Sequence, residues 1–171
     1  ENFDFRQVLP IKVLLHQGKV WAYRRTESGS EEGLHDQISI SVGGHWDLED
    51  IKLQEVLDDK GNPVGSVIDV EQSLKVAVER ELREEVRLTA GIKSIKPMSK
   101  VLVADDTEVD RKHFALISIV ELDGVGLDTN EDELEPLGFV SPTELLENDG
   151  VKYDLETWAR LLCQQLAETD K

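Results

Sequence analysis

The sequence has a single cysteine, Cys163, among 171 residues. That excludes an internal disulfide and any zinc site built on thiolates. Cys163 falls in a helical pattern near the end of the chain, where a free cysteine more often packs than reacts. Aromatic residues are scarce, at 5%, and no pair is placed to stack a base. No apolar run approaches the roughly 18 residues of a membrane span. Glu1 to Gln7 lack the basic-then-apolar order of a signal peptide. The cytoplasm is the expected compartment, and no membrane partner is expected.

Positive charge is also short. There are 19 basic residues against 36 acidic ones, a formal charge of −17. Such a chain repels nucleic-acid polymers at long range. It also repels a small phosphorylated substrate unless something local inverts the field, and a bound divalent cation does that. Length and a 32% charged composition suit one globular domain spanning residues 1–171.

Residues 11–15 and 20–25 are short apolar runs flanking Gln17-Gly18, and read as a β-hairpin. Residues 26–35 read as loop. Ile38, Ile40 and Val42 alternate with polar residues, predicting a half-buried strand that runs into Gly43-Gly44-His45. Residues 48–67 read as an insertion with a hairpin-like excursion around Asp58-Asp59-Lys60-Gly61-Asn62-Pro63. A helix is predicted over 69–88, with Asp69 as its cap and Gln72 in the capping-box position. Strands are predicted at 101–104 and 113–122 around an acidic turn, and a mobile acidic loop over 123–135. A short strand follows at 139–140. A helix opens at Ser141-Pro142, and a last one is capped by Asp154 and runs to about Ala167. The fold class is mixed α/β in one domain.

The chemistry concentrates on the helix over 69–88. On a wheel of about 100° per residue, Glu81 lies within the stripe of Leu74, Ala77, Val78 and Leu88, and Glu85 falls about 40° from it. Neither has a basic residue three or four positions away, whereas Glu84 has Arg80 and Arg87. Unpaired carboxylates on a core-facing stripe are costly. Mg²⁺, with Mn²⁺ as the alternative, binds through such oxygens and keeps waters for substrate phosphates. A solvated helix face is the competing explanation.

Arg80-Glu81-Leu82-Arg83-Glu84-Glu85 resembles the core of the Nudix box, preceded as in that family by a glycine pair, Gly43-Gly44. Arg87 stands where the box has glycine, and Gly65 and Glu71 lie one residue too far from Arg80. Tyr23-Arg24-Arg25, Leu34-His35, Ser39 to His45, Asp50, Asp105-Asp106, His113-Phe114 and Glu156-Thr157-Trp158 resemble the branch labelled predicted phosphoesterases of the Nudix superfamily. The resemblance implies a Nudix-like α/β/α sandwich with a mixed central sheet. It implies Glu81 and Glu85 as principal metal ligands, Glu84 as a third, and a backbone carbonyl near Gly44. Arg80 would orient the glutamates, and water would attack a phosphoanhydride of a nucleotide-derived substrate. Glu85, or one of the loop acids Glu131, Glu133 and Glu135, is the expected base, with Glu133 the candidate among the loop acids. Arg25, His45 and His113 are the expected substrate contacts. A homodimer is compatible with this reading. The alternatives are a non-catalytic ligand-binding or regulatory domain of this kind, and an acidic interaction protein.

Overall fold

The computed structural model describes residues 5–28, 32–102, 111–130 and 132–169. Strands β1 (Gln7–His16) and β2 (Lys19–Arg25) form the expected hairpin. Gln17 and Gly18 turn it with φ of 51° and 73°. Two successive positive φ values make a two-residue turn whose twist matches that of the strands.

The expected strand over 38–42 is split. Its first part, β3 (Ile38–Ser39), pairs with β2, and its second, β4 (Ser41–Gly43), pairs with β1. It is also buried on both faces rather than one, with Ser39 and Ser41 enclosed. Hydrogen bonding makes this affordable: Ser39 Oγ donates to Glu156 Oε1 at 2.6 Å, and the Tyr23 hydroxyl donates to Ser41 O at 2.8 Å.

Strands β5 (Leu53–Leu57) and β6 (Pro63–Ile68) form a separate hairpin. Its turn is tied by the Lys60 and Asn62 amides, both donating to Asp58 Oδ1 at 2.8 Å. Helix α1 (Val70–Glu85) follows, with the Gln72 amide donating to the Asp69 cap at 3.0 Å. It stops at Glu85 instead of reaching 88. Val86 is buried and β-branched, and the next residues form β7 (Val86–Leu88).

The remaining strands are β8 (Ile92–Leu102), β9 (His113–Leu122), β10 (Leu127–Thr129) and β11 (Leu134–Val140). Strand β8 thus starts well before residue 101. The acidic turn at 105–108 lies outside the described residues. The region expected to be a mobile loop contains β10, which pairs with β7. Two helices end the chain, α2 (Pro142–Glu147) and α3 (Thr157–Thr169). Ser141 caps α2 as expected. Asp154 does not cap α3; the first helical bond there runs from the Arg160 amide to Glu156 O.

The main sheet runs β11-β2-β1-β9-β8, with β1 and β9 parallel and the other neighbours antiparallel. Alternation divides its side chains between two cores. Ile11, Val13, Ala115 and Ile117 pack toward Leu145, Ala159 and Leu162 of α2 and α3. Leu14, Val42, Val120 and Leu122 pack toward Val86 and Leu82. Each fully enclosed Leu or Val there contributes about 1.5–3 kcal/mol. The result is a mixed sheet between α1 on one face and α2 with α3 on the other. Cys163 lies fully enclosed in the second of these layers, and burial pushes its thiol up to about 12.

Candidate functional site

The site forms where β4 ends against α1. Gly43 has φ of 146°, and a Cβ there would strike the Pro10 carbonyl and come within 2.9 Å of Ile11 Cα. Only glycine lets the chain pass β1 so closely. At Gly44 a Cβ would meet not backbone but the Glu81 carboxylate, 2.7 Å from Oε2 and 2.8 Å from Oε1. The Gly43 amide donates to Glu85 Oε2 at 3.3 Å. The glycine pair therefore brings the Glu81 and Glu85 carboxylates to one stretch of backbone.

Glu81 is 7% exposed, and burial raises its pKa, opposed by Arg80. Helical spacing offers Glu81 no cation three or four residues away, but Arg80, the residue expected from the family resemblance to orient the glutamates, pairs with it. Arg80 curls along its own helix, and its Nη1 donates to Glu81 Oε1 at 2.8 Å and to Glu84 Oε2 at 3.0 Å. Its Nε and Nη2 grip Asp50 at 3.1 and 2.9 Å, and Nη2 also reaches His45 O at 3.0 Å. All five guanidinium hydrogens are thereby engaged, a fork that lysine could not reproduce. Hydrogen bonding from Arg80 holds Asp50 below the usual carboxylate range. Arg87 serves Asp128 at 3.1 Å and not Glu84.

A second cation comes from the sheet. Lys12 is fully enclosed, and its Nζ has no hydrogen-bond partner among the described residues. Burial lowers its pKa to about 8, against the pull of Glu85 and Glu81. Its position was legible: Lys12 interrupts an apolar strand and alternates with Leu14. Asp50 carried a weaker signal, as an acid near the glycine pair.

The other expected residues divide. The His45 and His113 rings lie 5.7 Å apart, centre to centre. Arg25 Nε donates to Glu156 Oε2 at 3.2 Å, and the guanidinium sits 5.7 Å from the Tyr23 ring centre. Arg25, His113 and Gly43 line one cleft of about 190 Å³, together with Leu9, Glu156 and Trp158. Trp158 Nε1 is buried and unpaired among the described residues. Glu133 is exposed, and Glu135 lies 3.8 Å from Arg24. Glu131 is outside the described residues. Just before it, the Asn130 amide donates to Glu85 O at 2.9 Å, which fastens this loop to the end of α1.

Among the described residues, no three His, Cys, Asp or Glu side chains form a ready-made cage for a metal. What is present is a pair of carboxylates, Glu81 buried and Glu85 half-buried, beside a glycine backbone. That donor set fits a hard cation that keeps most of its coordination sphere for water and phosphate.

No protein-family model matches the sequence. The chain is 24% identical to Protein YmaB of Bacillus subtilis over 163 residues, covering 95% of this chain and 71% of that protein. Tm1382, a candidate Nudix hydrolase, superposes with a TM-score of 0.65 at 20% identity, over 96% of this chain and 72% of its own. A Nudix hydrolase from Alicyclobacillus acidocaldarius gives 0.60 at 14% identity, over 94% and 90%. DR0079 from Deinococcus radiodurans gives 0.56 at 18% identity, over 94% and 83%. A mixed sheet between helices agrees with these superpositions, and the chain has the Nudix fold.

Proposed function

We propose that the chain hydrolyses a phosphoanhydride bond in a small, nucleotide-derived substrate with the help of a divalent cation. The observation that carries this reading is the convergence of Glu81 and Glu85 on the Gly43-Gly44 backbone, with Arg80 bonded to Glu81. Glu81, Glu85 and the carbonyl of Gly44 would hold Mg²⁺ or Mn²⁺, with Glu84 contributing through water. When bound, the ion would neutralise bridging phosphate charge and acidify a coordinated water.

The protein's own groups supply the rest. Arg80 holds the Glu81 carboxylate beside Gly44, because Asp50 and His45 O fix the far side of its guanidinium. Glu85 is one candidate to accept the proton of the attacking water. Glu133 is the other, on the loop that Asn130 fastens to α1. The cleft would take the group beyond the phosphates, with apolar walls at Leu9 and Trp158. There Arg25 and His113 offer polar contacts, and His45 stands beside His113.

The test is hydrolysis of a panel of nucleotides and nucleotide sugars with Mg²⁺ or Mn²⁺, with and without chelator. Activity should need the ion and fall strongly in Glu81→Gln and Glu85→Gln. Divalent ions should also raise the melting temperature of the native protein by mass action, and less so in Glu85→Gln. Folded, ion-loaded protein that cuts nothing across the panel would favour a ligand-binding domain instead.

A further inference from the structure

The β5–β6 hairpin forms a two-stranded sheet of its own, and every residue from Leu53 to Ile68 is exposed. It carries Leu53, Val56, Leu57, Val64, Val67 and Ile68, which account for many of the protein's exposed large apolar side chains. An isolated two-stranded ribbon is marginal in water. Proteins also guard open strand edges with charge, proline or bulges, because an unguarded edge recruits another strand.

The two edges of this hairpin are not alike. Strand β5 has Glu55 at its centre and Asp58 just beyond its end. Strand β6 has no charged residue, in a chain of net charge −17. Pro63 and a break in register beside it protect only the turn end, where Leu57 pairs with Pro63 after Val56 pairs with Gly65. The pairing is regular from Gly65 to Ile68.

We propose that β6 pairs antiparallel with β6 of a second copy of this chain, about a two-fold axis at Ser66. The result is a four-stranded sheet running β5-β6-β6-β5 across the two copies. Strand β6 is self-complementary in this register. Ser66 faces Ser66, Val67 stands over Gly65, Ile68 falls opposite Val64, and Asp69 falls opposite Pro63. Strand β6 brings no carboxylate of its own to the shared edge, whereas pairing β5 with itself about its centre would set Glu55 against Glu55. The base of the hairpin is tied to α1: the Asp69 amide donates to Lys52 O at 2.9 Å, and the Lys52 amide to Ser73 Oγ at 2.8 Å. Pairing would therefore brace the start of the acidic helix. This proposal is independent of the catalytic one.

Sedimentation and light scattering of the full chain over a dilution series test it. A dimer should form with rising concentration. It should tighten as salt increases from low to about physiological strength, since screening weakens repulsion between the two acidic bodies. Val67→Lys should weaken dimerisation at least about tenfold. Its melting temperature should match that of the undimerised parent, because Val67 is half-exposed. Ser66→Cys should cross-link to itself under mild oxidation, because directly opposed residues lie ~4.5–5.5 Å apart between Cα atoms. Glu55→Cys should not, and Cys163 is buried out of reach. A chain that stays monomeric at all concentrations overturns the proposal, even if it binds another protein. So does a Val67→Lys variant as dimeric as the parent, or Ser66→Cys cross-linking no faster than Glu55→Cys.

Discussion

Replacing Asp50 with asparagine probes the frame that holds the acidic helix. Asp50 is 1% exposed, and its two oxygens take Arg80 Nε and Nη2 at 3.1 and 2.9 Å. Oδ2 also accepts the Asp47 amide at 3.0 Å. Removing one partner of a fully buried ion pair costs about 3–5 kcal/mol. Arg80 is a quarter exposed and keeps Glu81, Glu84 and His45 O, so the expected cost of Asp50→Asn falls to about 2–3 kcal/mol. For a domain of this size that is a fall of about 5–10 °C in melting temperature.

The pH dependence follows from the direction of the Asp50 shift. Its pKa is lowered in the folded protein, so its contribution is fully present above the unfolded value near about 4. It is lost as pH falls through the lower folded value. Urea titrations of parent and variant should differ by a constant amount from neutral pH down to about 4, and converge below it. A loss under about 0.5 kcal/mol, or a gap that persists unchanged into strong acid, would refute the reasoning.

Two glycine substitutions should separate fold from site. Gly43→Ala places a Cβ against the β1 backbone and should cost more than about 2 kcal/mol, read by denaturant midpoint. Gly44→Ala meets only the Glu81 carboxylate, so stability should hold while divalent-ion affinity drops in calorimetry. Lys12→Met fits an apolar enclosure and removes a buried cation beside Glu81 and Glu85. Ion binding should tighten severalfold; weaker binding would mean that Lys12 positions the glutamates rather than opposing the ion. Glu84→Gln should reduce turnover less than Glu81→Gln, since the Glu84 side chain is over half exposed whereas the Glu81 carboxylate is set against Gly44.

Local chemistry was readable from the chain alone. Gln17-Gly18 between apolar runs specifies a tight hairpin, and Asp69 and Ser141 specify helix starts. The placement of Glu81 on the buried stripe of α1 was likewise fixed by spacing, because helical geometry depends on nothing beyond the segment itself. Long-range pairing was not readable. That α1 yields to β7 at Val86, that Ile38 to Gly43 divides between two strands, and that β10 interrupts an acidic loop all depend on partners distant in sequence. The same holds for the counter-ions. Sequence spacing gave Glu81 no cation, yet folding brings Lys12 from another element and curls Arg80 onto its neighbour. A charge pattern along one helix records only what that helix can satisfy by itself; which charges are buried, and what compensates them, is decided when the sheet closes beneath it.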